Sequence, residues 1–134
     1  MTSVLVDSNV ILDVLTHDSR WSETSARVLV EIANRSRLVI NPIVYAEVSV
    51  RYSRKEHVEE ALPEFLHRES IPYAAAFLAA KAFREYRRRG GVRSSPLPDF
   101  FVGAHAAVAG YSLLTRDPSG YSSYFPKLAI IVPN

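Results

Sequence analysis

Short apolar runs alternate with longer stretches of helical spacing along the whole chain. The run "SVLV" at Ser3–Val6 is short and β-branched, which is typical of a buried strand in a parallel sheet. A second run, "RLVIN" at Arg37–Asn41, has the same character, and "YSLLT" and "LAIIVP" follow near the C-terminus. The pattern therefore predicts four strands.

Apolar residues at helical spacing fill the segments between these runs. They predict helices over about residues 21–35, 56–67, 72–89 and 99–110. Another helix is expected directly after the second strand, because Asn41 is a favourable N-cap residue and Pro42 suits the first helical position. Pro63 lies inside the segment 56–67, and we expect it to kink or split that helix.

The alternation of strands and helices predicts the fold class. Strands joined through helices form right-handed crossovers, so we expect an α/β fold with a mainly parallel central sheet. The 134 residues have the size of one ordinary domain, and they contain no internal repeat, low-complexity tract or interior linker. We therefore expect a single domain over residues 1–134.

Composition excludes several classes of site. The chain has no cysteine, which excludes a disulfide framework and a thiolate metal site. Asp7 and Asp13 interrupt the first apolar stretch, so nothing resembles a signal peptide. No apolar run approaches the roughly 20 residues of a membrane helix. We expect a cytoplasmic protein without a membrane segment.

The net charge is only +2, but basic residues are concentrated in one segment. Between residues 81 and 93, the acidic Glu85 stands among six basic residues: Lys81, Arg84, Arg87, Arg88, Arg89 and Arg93. Such a cluster can be an electrostatic footprint for nucleic acid. It can also be the solvated end of a helix, where basic residues suit the helix dipole. Charge alone favours the second interpretation.

Four carboxylates are placed to meet at one edge of the predicted sheet. Asp7 directly follows the first strand, and Glu47 lies early in the helix after the second. Asp99 begins the helix that precedes "SLLT", and Asp117 comes just after that strand. Strand ends and the starts of following helices share one edge of a parallel sheet, where ligands bind. We therefore expect these carboxylates to converge.

Each carboxylate also has a simpler interpretation. Asp7 could merely cap a helix, Asp99 suits a first helical turn, and Asp117 begins a turn-forming "DPSG". Glu47 lies on an apolar helix face, where an unpaired charge is costly, although Arg51 one turn later could pair with it. Together the four form one consistent geometry. An oxygen-only set of this kind suits Mg²⁺ or Mn²⁺.

The sequence resembles the PIN domain family, and within it the VapC-type toxins of VapBC toxin–antitoxin systems. The segments that carry the resemblance are "VLVDSNVILD", "YAEV", "PDFFVGAHAAVAGYSLLTRDPSGYSSYFP" and the final "LAIIVP". They occur in order and span essentially the whole chain. The resemblance implies a single PIN domain over residues 1–134, with a three-layer α/β/α sandwich around the parallel sheet.

The resemblance also implies a metal-dependent endoribonuclease, the toxin of a type II toxin–antitoxin pair. It makes the four carboxylates the catalytic set, with Asp7, Asp99 and Asp117 as ligands of Mg²⁺, for which Mn²⁺ could substitute. Asn9 and Thr115 match polar positions that support the site. The implied partners are an RNA substrate (transfer or ribosomal RNA), a VapB-type antitoxin and a second copy of the chain.

An acidic pocket repels RNA unless basic residues at its rim attract the phosphates. With RNA as the implied substrate, the nucleic-acid interpretation of the basic cluster gains weight. The residues we expect to bind RNA are Arg87, Arg88, Arg89 and Arg93.

Other interpretations remain to be weighed against the nuclease. The serious rival is a catalytically inactive PIN-like module that binds protein or RNA and whose acidic pocket is structural. A phosphoacceptor receiver domain would normally have adjacent acidic residues after its first strand, where this chain has Ser8 and Asn9. Among the remaining polar residues, Asp13 fits a solvated helix position, and we expect His105 to be packed or on the surface rather than catalytic.

Overall fold

The computed structural model describes residues 3–91 and 97–134 of the chain. Strands and helices alternate through these residues. Their order is β1 (Ser3–Val6), α1 (Ser8–Leu15), α2 (Ser22–Ala33), β2 (Arg37–Ile40), α3 (Pro42–Ser49), α4 (Lys55–Ala61), β3 (Leu66–Arg68), α5 (Tyr73–Arg88), α6 (Leu97–Ala109), β4 (Ser112–Leu114), α7 (Ser119–Ser122) and β5 (Ile130–Ile131).

The strands form one parallel sheet in the order β3-β2-β1-β4-β5. The central strand β1 pairs with β2 through Leu5 opposite Val39 and with β4 through Leu5 opposite Leu113. These three residues have no exposed surface, because helices cover both faces of the sheet. The predicted α/β fold with a parallel sheet is confirmed, and its layers make an α/β/α sandwich.

The helix predicted over residues 56–67 is wrong in its C-terminal half. Helix α4 ends at Ala61, and Leu62 is extended, with φ −68° and ψ 128°. A residue before proline favours this conformation, so Pro63 ends the helix rather than kinking it. The chain then adds β3, in which Leu66 is buried and pairs with Leu38. The sheet therefore has one strand more than the apolar pattern indicates.

The start of α3 follows the prediction and is tied to the core. The Asn41 side chain accepts a hydrogen bond from the backbone N–H of Val44 at 3.0 Å, and Pro42 occupies the first turn. The amide nitrogen of Asn41 lies 3.1 Å from Nδ1 of His105, which is 1% exposed. Burial lowers the pKa of His105, although the nearby Glu69 opposes this effect. His105 is packed, as expected.

Asp13 is buried, which makes its interpretation as a solvated helix position wrong. Its carboxylate accepts two hydrogen bonds from Arg116, at 2.6 and 2.9 Å, and a third from the Ser25 hydroxyl at 2.8 Å. The Arg116 guanidinium also lies 4.9 Å from the ring centroid of Trp21. This pair joins α1 and α2 to the loop after β4, so it holds three elements of the fold together.

Within the described residues, no helix combines the length and the apolar character that a membrane crossing requires.

Asp13→Ala should lower the free energy of unfolding by about 2–4 kcal/mol, because it leaves a partly buried guanidinium without its partner. Urea unfolding followed by circular dichroism measures this effect. The matched control is Glu56→Ala, which removes the exposed pair with Arg54 and should change stability by less than about 0.5 kcal/mol. Equal effects of the two substitutions would contradict a structural role for the buried pair.

Candidate functional site

The four carboxylates act on one another electrostatically across the C-terminal edge of the sheet. Burial and the negative charges of Asp7, Glu47 and Asp117 raise the pKa of Asp99 to about 6. These residues come from the end of β1, from α3, from α6 and from the loop after β4. The structure therefore brings the predicted set into one region, although the residues are far apart in sequence.

Asp7 is the most buried of the four, with 4% of its surface exposed. Its Oδ1 accepts a hydrogen bond from the N–H of Ser8 at 2.8 Å, so it does cap α1. Its Oδ2 accepts two more at 2.8 Å, from the hydroxyls of Thr115 and Tyr121. Burial raises the pKa of Asp7, and these hydrogen bonds oppose the rise. Asp7 therefore both caps α1 and belongs to the set of four carboxylates.

Asn9 and Thr115 connect Asp7 to the loop after β4. The Asn9 amide donates to the Thr115 hydroxyl oxygen at 3.2 Å, and its carbonyl oxygen accepts from the N–H of Arg116 at 3.2 Å. The Thr115 hydroxyl oxygen also accepts from the N–H of Asp117 at 3.0 Å. These contacts fix the positions of Asp7 and Asp117 relative to each other, which is the geometry expected of supporting residues.

One carboxylate oxygen of Glu47 has no hydrogen-bond donor among the described residues. Its Oε1 is buried and has no hydrogen-bond partner among the described residues, and no ion pair with Arg51 forms there. Burial raises the pKa of Glu47, the charge of Asp7 adds to the rise, and the Ser8 side chain opposes it. A buried oxygen without a partner is costly, so it suits a position that a cation or an ordered water would satisfy.

Tyr121 is a member of the site that the sequence interpretation missed. Burial, together with the charges of Asp7 and Asp99, raises its pKa far above the usual range, so the hydroxyl stays protonated and donates to Asp7. A Cβ on Gly103 would stand 2.6 Å from the Phe125 ring and 3.0 Å from the Tyr121 ring. A glycine inside a helix often marks such close packing, so Gly103 was the feature of the sequence that could have indicated Tyr121.

A cavity of about 230 Å³ opens beside two of the carboxylates, and aromatic rings form much of its wall. Its lining residues are Tyr86, Asp99, Phe100, Asp117, Gly120, Tyr121 and Tyr124. Two larger cavities lie elsewhere, one against Asn41 and Arg68 and one against Tyr111 and Leu128. Proximity to the acidic set, rather than size, distinguishes the smaller cavity.

The donor chemistry of the acidic set fits a hard divalent cation. All four side chains offer oxygen atoms, and a cation among them would offset both the burial and the repulsion that raise the pKa of Asp99. Within residues 3–91 and 97–134, however, no three His, Cys, Asp or Glu side chains are gathered closely enough to hold a metal ion. A Mg²⁺ ion at this edge would therefore take one or two carboxylates directly and keep several waters.

The arginines of the basic cluster have different surroundings in the structure. Arg88 and Arg89 both pair with Glu85, at 2.7 and 2.8 Å, and hold the pKa of that carboxyl at about 2. The Arg89 guanidinium also lies 4.8 Å from the ring centroid of Tyr124, at the rim of the cavity. Arg87 makes no ion pair in the described part of the chain. The fourth predicted residue, Arg93, lies outside the described residues.

Several solved structures of toxin–antitoxin proteins share this fold. VapBC2 from Rickettsia felis, bound to a promoter DNA fragment, aligns with a TM-score of 0.75, 16% identity, and 98% of this chain and 99% of that one covered. A toxin–antitoxin complex from Klebsiella pneumoniae gives 0.71 and 19%, with 98% of each chain covered. The sarcin–ricin loop cleaving toxin VapC20 from Mycobacterium tuberculosis gives 0.63 and 16%, with 90% and 94% covered.

At these identities the similarity establishes the fold alone. No protein of curated function matches the chain by sequence. The profile of the PIN domain family, however, matches residues 4–123. That match spans most of the sequence and includes all four carboxylates. The chain belongs to the PIN domain family.

Proposed function

We propose that this protein is a Mg²⁺-dependent endoribonuclease and the VapC-type toxin of a toxin–antitoxin pair. The observation that carries the proposal is the meeting of four carboxylates at one sheet edge, where burial and then the charges of the other three raise the pKa of Asp99 to about 6. Membership of the PIN domain family supports it. So does the similarity of the fold to VapBC proteins and to a toxin that cleaves the sarcin–ricin loop.

The residues divide the chemical work according to their surroundings. Bound Mg²⁺ supplies positive charge to a phosphoryl oxygen and lowers the pKa of a coordinated water. Asp7 and Asp99 would hold this principal ion, because hydrogen bonds fix Asp7 in place and the neighbouring negative charges favour a cation beside Asp99. Glu47 would hold a water through its unmatched Oε1, and the exposed Asp117 would position the nucleophile or bind a second ion.

Hydrolysis by an activated water would leave a 5′-phosphate and a 3′-hydroxyl. Mn²⁺ would substitute for Mg²⁺, because both are hard cations that accept carboxylate and water ligands. The proposed partners are a transfer or ribosomal RNA as substrate, a VapB-type antitoxin and a second copy of the chain. The fold's similarity to toxin–antitoxin complexes supports the antitoxin.

Asp99→Asn should abolish the metal-dependent reaction while leaving the fold intact, because the amide keeps the shape of the side chain and removes a charge that its neighbours repel. We expect cleavage to fall by at least about 100-fold, the order of loss on removing one preorganised charge-stabilising group. Sequencing of cleaved RNA ends after induced expression measures cleavage, and calorimetry with Mg²⁺ measures binding. Glu31→Gln, an exposed acid paired with Arg27, serves as the control.

The same experiment separates the nuclease from the inactive binding module. A module would yield no new RNA ends with the wild-type chain and no heat of Mg²⁺ binding. Equal cleavage by the wild-type and Asp99→Asn proteins would place the activity at another site or in a contaminant.

Metal affinity should depend on pH, with a midpoint near 6. The folded-state pKa of Asp99 is raised from 3.8 to about 6, so its charged form is disfavoured without a metal. Metal-free stability should therefore fall as pH rises from about 4 to about 6, and Mg²⁺ should restore it above pH 6. Thermal unfolding with Mg²⁺ and with EDTA at pH 5 and pH 8 measures both effects. An equal Mg²⁺ stabilisation at the two pH values would contradict this assignment.

Neutralising the basic cluster should weaken RNA binding and flatten its salt dependence. For the triple change of Arg87, Arg88 and Arg89 to Gln, the slope of log K against log salt should fall by about 0.7 per lost phosphate contact. The measurement uses Asp99→Asn as the background, so that the RNA stays intact. Arg27→Gln is the control, since Arg27 lies on α2 and contacts the C-terminal Asn134. An unchanged slope would remove the cluster from the RNA path.

A further inference from the structure

We propose that the aromatic cavity beside Asp99 and Asp117 is a nucleobase subsite, which receives one unpaired base of the RNA next to the cleaved bond. The inference rests on the proposed nuclease function and deepens it, because it names the place where a base beside the cleaved bond would bind. It assigns a role to Tyr86 and Tyr124, which the reaction itself does not use.

The cavity is built from rings that pack against one another rather than from mobile side chains. Phe100 and Tyr121 are each 3% exposed and form its buried part, while Tyr86 and Tyr124 are half-buried at its sides. The ring centroids of Tyr86 and Tyr124 are 6.1 Å apart, and those of Phe100 and Tyr124 are 5.1 Å apart. Such edge-to-face packing fixes the rings, so a ligand meets a preformed aromatic surface.

Two glycines, Gly120 and Gly91, shape the wall of the cavity. Gly120 lines the cavity, and a Cβ there would approach only Asp117, at 3.8 Å, so the backbone leaves room beside the carboxylate. A Cβ on Gly91 would overlap the Tyr86 ring. Any larger residue at position 91 would displace that ring, so the backbone at Gly91 sets the position of one wall.

The charges around the cavity select the kind of ligand. Asp99 and Asp117 line one part of it, while the Arg89 guanidinium lies over Tyr124 at the rim. A free anion would be repelled by the carboxylates, and an aliphatic group would leave them without a donor. A neutral, flat base satisfies both features, because it stacks on rings and presents N–H groups to acceptors.

The geometry also requires that the base be unpaired. A base inside a duplex is stacked on both faces and paired along its edge, so it reaches a recess only when it leaves the stack. Bases in single-stranded loops are already available for stacking on aromatic side chains. A base that enters this cavity must therefore have left its helical stack, with the phosphate beside it at the carboxylates.

Nuclear magnetic resonance titration with the four nucleosides tests the subsite without a phosphate or a metal. Nucleosides should shift the backbone signal of Gly120 and the ring signals of Tyr124, whereas ribose should not. Tyr124→Leu keeps apolar volume but removes the aromatic face, and it should weaken binding by roughly 5- to 100-fold. Tyr124→Phe keeps the face and should bind as the wild type does. Tyr73→Leu is the control, because Tyr73 is 94% exposed on α5 and lines none of the cavities.

Cleavage kinetics give a second, independent measurement. With a single-stranded oligonucleotide, Tyr124→Leu should raise KM and relax the preference for the base at the cleavage point, and Tyr124→Phe should retain both properties. Thermal unfolding of each variant confirms that the folded protein is being compared.

The two proposals fail in different ways. Wild-type protein that cleaves RNA but does not bind nucleosides at these residues would overturn the subsite and leave the nuclease standing. Nucleoside binding that is the same in Tyr124→Leu as in the wild type would overturn it as well. Protein that cleaves no RNA would overturn the nuclease, while the titration would still decide whether the cavity accepts a base.

Discussion

Repulsion between carboxylates held at one sheet edge is the constraint on which the rest of this site depends. Asp7 is fixed by donors from Ser8, Thr115 and Tyr121, so it cannot turn away from its acidic neighbours. Burial of Asp99, and then the charges of the other three carboxylates, raise the pKa of Asp99. Left alone, like charges would separate or become protonated. The hydrogen bonds to Asp7 instead keep it beside the other carboxylates, and positive charge brought to this edge would lower the cost of keeping them ionised.

The same contacts serve the fold and the site. Arg116 pairs with buried Asp13 through its side chain, while its backbone N–H donates to Asn9. Its neighbours in sequence, Thr115 and Asp117, belong to the acidic site. The contacts that pack the first two helices therefore also position the loop after β4. The stability of the helix packing fixes where Thr115 and Asp117 lie relative to Asp7.

The sequence predicted the parts whose cause is local. A β-branched run marks β1, Asn41 with Pro42 marks the start of α3, and the rule for parallel sheets places Asp7 at the functional edge. These features need only the residues themselves and the general geometry of α/β folds. Glu47 could be singled out for the same reason, since a carboxylate on an apolar helix face contradicts the surrounding pattern.

The parts that the sequence did not predict depend on distant partners. Strand β3 is three residues long, which is too short for the alternation of apolar and polar residues in a strand to be recognised. It forms because its backbone pairs with β2. Asp13 was interpreted as a solvated residue because its partner, Arg116, is far away in the sequence. The residues next to Tyr121 in sequence gave no signal either, and only the distant Gly103 indicated close packing there, since the role of Tyr121 comes from a hydrogen bond to Asp7. Tertiary contact, rather than propensity, decided all three.

The order of the strands has a consequence for when the acidic site forms during synthesis. The central strand β1 precedes its neighbour β4 by about a hundred residues of chain, which include every helix from α1 to α6. A growing chain that ends before Thr115 already contains three of the four carboxylates, but it lacks Asp117 and the hydroxyl that donates to Asp7. The site is therefore complete only after β4 has left the ribosome and paired with β1, long after the strand that precedes Asp7 has been made.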